Sequence, residues 1–97
     1  MILKKKTFNQ PNDINYLVYL PDEYYNDEKS YPLVLFLHGA GERGNNVDSI
    51  KKHGIPKRIE EGSNFPFITI APQCRDGIWW SNRENINILE KLMNCSI

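Results

Sequence analysis

His38-Gly39-Ala40-Gly41-Glu42-Arg43-Gly44 puts an imidazole, a carboxylate and a guanidinium on one short, glycine-rich stretch of backbone. Three chemistries compete for such a stretch. Gly39 to Gly44 is a literal G-x-G-x-x-G, the pattern that cradles a dinucleotide pyrophosphate when a long helix starts inside it. Here Gly44-Asn45-Asn46 delays any helix, Gly54 and Pro56 truncate it, and the next strand ends Ala71-Pro72-Gln73 without the acid that would bind a ribose. A plain exit loop accounts for the glycines and leaves the histidine unexplained. The third reading is an oxyanion hole. Backbone N–H groups aimed at the developing negative oxygen of a tetrahedral intermediate are effective donors in a dry site, and glycine and alanine leave the substrate room to approach.

The element that must position this turn is Leu33-Val34-Leu35-Phe36-Leu37, five apolar residues directly before it. The run is short for a helix and does not alternate, which predicts a strand covered on both faces in the middle of a parallel sheet. Ligands in open α/β sheets gather just beyond the carboxyl ends of such strands. Upstream, Ile2–Phe8 and Tyr16–Leu20 read as a β-hairpin around the turn formers Asn9 to Asp13, and residues 21–30 as a surface loop. Downstream, Val47–Lys52 gives one or two helical turns stopped by Gly54 and Pro56. Pro56–Glu61 gives a second short helix stopped by Gly62. Phe65–Ala71 is the next buried strand, closed by Pro72, and the segment between is long enough for a parallel crossover. Ser81 and Glu84 then form a capping box for a helix over 82–94, with Ile86, Leu89, Leu92 and Met93 on one face.

The 97 residues allow one small domain, with 40% hydrophobic and 25% charged residues, an ordinary globular composition. Twelve basic and twelve acidic residues cancel, which excludes an electrostatic footprint for nucleic acid or an anionic membrane. Lys4-Lys5-Lys6 reads as a solvated strand end. No run reaches membrane-spanning length, and Met1-Ile2-Leu3 ahead of the lysines reverses the order of a secretory signal. Cys74 and Cys95 match no zinc or redox spacing and read as free thiols in the cytoplasm. Nothing in the pattern calls for a cofactor or a metal.

Four blocks carry a family resemblance: Tyr16 to Pro21, Tyr31 to Gly44, His53 to Lys57, and Phe65 to Gln73. In that order they resemble the N-terminal half of an α/β-hydrolase, of the esterase and predicted-peptidase group near dienelactone hydrolases, phospholipase/carboxylesterases and feruloyl esterases. The resemblance implies an α/β fold in which an N-terminal hairpin is followed by parallel βαβ strands and a C-terminal helix. It implies a serine hydrolase acting on a carboxylic ester, less readily a peptide, through an acyl-serine intermediate. In such enzymes one oxyanion N–H comes from a His-Gly-rich turn and the other from the residue after the nucleophile. Ala40 would then supply the N–H, with Gly39 and Gly41 shaping the turn, and His38 would orient the loop rather than act as base. Glu42 and Arg43 are left as loop braces, substrate contacts or a solvated pair. His53 reads as structural, and Trp79 and Trp80 as core or as the wall of an acyl pocket.

The same resemblance requires a Gly-x-Ser-x-Gly elbow followed by an acid and a histidine. None of Ser30, Ser49, Ser63, Ser81 or Ser96 lies in that context. The expectation is that residues 1–97 are the N-terminal portion of a single domain with an incomplete sheet, ending before the nucleophile strand. Such a chain holds an oxyanion loop without a triad and is inactive alone. The alternative is a non-catalytic remnant or interaction module, pairing with a separate C-terminal half. In either case the strand at 33–37 would be a bare edge prone to self-association.

Overall fold

The computed structural model describes residues 1–9, 13–26, 30–44 and 46–74. The expected 82–94 helix, its capping box, Trp79, Trp80 and Cys95 lie outside the described residues. Strands β1 (Ile2–Asn9) and β2 (Asp13–Leu20) pair antiparallel from Ile2↔Leu20 to Asn9↔Asp13, the predicted hairpin. β2 begins three residues earlier than Tyr16, because Asp13 to Asn15 still find ladder partners on β1. β3 (Leu33–Leu35) leads into a 3-10 turn at Ala40–Glu42, a 3-10 helix at Val47–Lys52 and helix α1 (Gly54–Glu60). β4 (Ile68–Pro72) closes the described chain. The sheet order is β1-β2-β4-β3, with β4 antiparallel to β2 and parallel to β3, so a crossover joins β3 to β4 as expected.

Among the described residues the fully covered strands are β2 and β4, and the strand at 33–37 lies at the edge of the sheet. Tyr16 to Leu20 on β2 and the whole of β4 are buried on both faces. β3 has β4 as its one neighbour among the described residues, and Leu33 and Leu37 are 37% and 42% exposed. Its ladder assignment ends at Leu35, although Phe36 N–H still donates to the Ile70 carbonyl at 2.9 Å. The apolar run at 33–37 identified a strand correctly; its burial depends on neighbours that the run itself cannot specify. Pro72 is likewise inside β4 rather than beyond it. It pairs with Tyr16 at the end of the ladder, where a missing N–H is tolerated.

Side-chain alternation divides the core between the two faces of the sheet. One face gathers Tyr16, Val18, Leu20, Ile68 and Ile70, with Tyr24, Tyr31 and Leu35 packed against them. The other gathers Leu17, Tyr19 and Ala71 beneath Ile50 of the 3-10 helix and Ile59 of α1. Asn46 caps the 3-10 helix by accepting the Asp48 N–H at 3.2 Å. The 3-10 helix ends at Lys52, before Gly54 as expected; Gly54 also opens α1, two residues ahead of the expected Pro56, and Gly62 at φ 106° ends that helix as expected. Lys5 is not merely solvated: its Nζ lies 2.8 Å from Asp48, which also meets Lys51 at 3.1 Å. Hydrogen bonds from Lys5, then Lys51, hold the Asp48 carboxyl below its ordinary 3.8. The group's contribution is therefore present above that range and lost as pH falls through the depressed value.

Tyr19 carries a second pH dependence, of opposite sign. Its hydroxyl donates to Glu60 Oε2 at 3.2 Å, and burial first, then the Glu60 charge, push its pKa well above the ordinary 10. The folded state thus holds the phenolic proton while the unfolded chain releases it, so stability falls as pH rises above about 10. Tyr19→Phe should flatten that alkaline limb in urea melts collected from pH 8 to 11. An unchanged limb would place its origin in another group.

Candidate functional site

The turn that follows β3 is tied to the end of β4 by side chains and backbone together. His38 is buried, 5% exposed, and its Nε2 accepts the Cys74 N–H at 2.8 Å. A backbone N–H can only donate, so Nε2 carries the lone pair and the imidazole proton sits on Nδ1. That Nδ1–H faces the Gly39 carbonyl at 2.5 Å. Both ring nitrogens are therefore engaged in holding the loop, and neither is left to take a proton from a nucleophile. Gly44 N–H donates to the Cys74 carbonyl at 3.0 Å, closing the far side of the turn. At φ 132° Gly44 occupies backbone space that favours glycine, which explains the last glycine of the motif.

Gln73 adds the contacts that sequence reasoning missed. Its side chain is 1% exposed, and Nε2 donates to the Glu42 carbonyl at 3.0 Å and the Asn46 carbonyl at 2.7 Å. The Gln73 backbone N–H donates to Asn15 on β2 at 2.8 Å, fixing the amide's origin to the sheet. Polar residues directly after a buried strand, beside a glycine turn, are the signal that could have found it.

Glu42 is not half of a solvated pair. It is 5% exposed, and its Oε1 lies 3.2 Å from Nε2 of His53, whose side chain is 73% exposed. His53, read from the sequence as lacking a partner, meets the loop at this carboxylate. Arg43 is half-buried.

Ala40 opens the 3-10 turn, whose Glu42 N–H bonds back to the Gly39 carbonyl at 3.4 Å. The leading N–H groups of such a turn have no acceptor within the turn itself. Among the described residues a Cβ on Gly41 would meet nothing within 4 Å, whereas one on Gly39 would stand 3.4 Å from Glu42 Oε2. Among the described residues no three His, Cys, Asp or Glu side chains cluster as a metal site would need. A cleft of about 130 Å³ lined by Met1, Pro21, Asp22, Glu23, Asn64 and Phe65 shares no residue with the loop. No helix among the described residues is long and apolar enough to cross a membrane.

No protein-family model matches the chain, and no curated protein matches it. Among solved structures it is similar to a thermostable esterase, with 28% identity, a TM-score of 0.62 and 95% of this chain covered. The chain spans 30% of that esterase's length. The four-stranded mixed sheet with its short helices is thus consistent with part of an esterase-like α/β fold.

Proposed function

We propose that the chain carries the oxyanion-hole segment of a serine esterase-type hydrolase, within the dienelactone-hydrolase, phospholipase/carboxylesterase and feruloyl-esterase group. One observation carries this reading: the glycine turn at the C-terminal end of β3 is held by His38, Gln73 and Cys74, with no described residue crowding Gly41. A rigid turn that presents backbone N–H groups beside an open approach is what a developing oxyanion requires. Ala40 is the donor, Gly39 and Gly41 keep the approach narrow in side chains, and His38 orients the loop. Glu42 braces the loop through His53; Arg43 and Trp79 are the candidates for contact with substrate. The substrate is a carboxylic ester, or less readily a peptide, and the acyl group passes to a serine on a segment that these residues do not contain. The chemistry needs no cofactor.

The chain by itself therefore does not turn over an ester. Incubation with an activated ester and, separately, with a fluorophosphonate should give neither hydrolysis nor a labelled serine. Stoichiometric labelling of any of its serines would overturn the reading.

The position of β3 favours a partner. It ends the described sheet order, and Leu33 and Leu37 are exposed. No charge interrupts 33–37, so the edge left unpaired among the described residues suits a strand from a nucleophile-bearing half in trans, or from a second copy. Purified chain should self-associate in sedimentation, and a matching C-terminal half should relieve it. A stable monomer with strongly protected amides throughout 33–37 would contradict this.

A further inference from the structure

We infer that Gln73 is the positioning residue of the 40–46 loop: its one side-chain amide sets where the Ala40–Glu42 turn stands relative to the end of β4. The inference rests on the oxyanion reading for its purpose, and on geometry for its substance. Gln73 Nε2 reaches two carbonyls on opposite sides of Gly44, Glu42 at 3.0 Å and Asn46 at 2.7 Å. Carbonyls only accept, so the amide's orientation is fixed and Nε2 spends both of its protons on the loop. The other amide atom, Oε1, is buried and has no hydrogen-bond partner among the described residues. A buried acceptor left unmade is costly. The side chain therefore sits where its donors are needed rather than where all its polar atoms are satisfied.

The arrangement also differs in kind from the other ties to the loop. His38 and Gly44 both bond to the backbone of Cys74, which any residue at that position would supply. Gln73 contributes a side chain from β4's end, and its own backbone is anchored to Asn15 on β2. Leucine or methionine would fill the space and hold neither carbonyl. Glutamate would fill it and set a carboxylate against both.

The test is amide hydrogen exchange read by mass spectrometry on the full chain, comparing segment 39–46 with the β2 and β4 amides. In the unsubstituted protein, 39–46 should exchange well below the rate of the exposed 61–64 segment; equal rates would overturn the inference without any variant. In Gln73→Met, exchange over 39–46 should rise at least about tenfold while β2 and β4 amides hold, as expected for two lost hydrogen bonds in one loop. Unchanged loop exchange, or an equal rise throughout the sheet, would overturn it. Gln73→Glu supplies a readout that packing alone would not move. Protonating the new carboxyl restores one donor, so loop protection, corrected for intrinsic rates, should recover as pH falls. Gln73→Met should show no such recovery; a pH response shared by both variants counts against the inference. All these readouts are independent of ester turnover. Their failure would remove Gln73 and leave the oxyanion reading on His38 and Ala40, whereas labelling of a serine in the isolated chain would overturn that reading and leave the Gln73 contacts intact.

Discussion

Ala40→Pro, in an enzyme completed by a nucleophile-bearing segment, should lower kcat by about 10²–10³-fold, the usual cost of one oxyanion donor. Proline removes the N–H and nothing else that the reaction uses. Position 40 is the first residue of its 3-10 turn, where proline's fixed φ and missing donor are tolerated. The preceding residue is glycine, which accommodates the restriction that proline places on its neighbour. The fold should therefore survive, as circular dichroism and urea melts would verify. Because the lost interaction exists only in the transition state, kcat and kcat/KM should fall together and KM should hold. A folded variant with kcat within a few-fold of the parent would move the donor elsewhere.

Gly54→Ala should cost about 2–4 kcal/mol of stability, combining a left-handed backbone with overpacking. Gly54 sits at φ 64°, and a Cβ there would stand 2.5 Å from Cε1 and 2.8 Å from Cζ of Phe36. The Phe36 ring cannot swing aside freely, because it packs on the core beneath Ile50 and Ile59. The contact matters for the site as well as the fold: Phe36 ends the β3 pairing two residues before His38, and Gly54 starts α1 directly after His53. Urea denaturation should show the loss as a lowered midpoint. Phe36→Leu in the Gly54→Ala background should return part of it, since the steric share is removed and the backbone share remains. A loss below about 0.5 kcal/mol, the scale of an unremarkable surface substitution, would contradict the packing described here.

The sequence disclosed elements better than it disclosed their surroundings. Turn formers around Asn9 to Asp13 announced the hairpin, and the crossover between two apolar runs announced parallel β3 and β4. Leu33 to Leu37 and Tyr16 to Leu20 are both continuous apolar runs and look alike to a local reading. Which run is covered on both sides depends on sheet order, which local pattern does not encode. Within the site, the glycines and His38 stood out by type and spacing. The Glu42–His53 pair did not, since ten residues, six of them a 3-10 helix, separate two ordinary polar side chains before the fold joins them. Gln73 was missed for a related reason: its place after a buried strand marked a polar position, and its role shows only when its amide meets Glu42 and Asn46.

The central claim is that the Ala40 N–H receives an oxyanion, and an oxygen caught in that position tests it most directly. A chimera in which this chain replaces the matching segment of the thermostable esterase would supply the remaining 70% of that fold. Its crystal structure after fluorophosphonate labelling would show where the tetrahedral phosphoryl oxygen lies. We expect that oxygen about 2.7–3.1 Å from the Ala40 nitrogen, the range of a working oxyanion donor. An adduct whose oxygen is held by other groups, with the Ala40 nitrogen beyond about 4 Å and out of hydrogen-bond reach, would contradict the account.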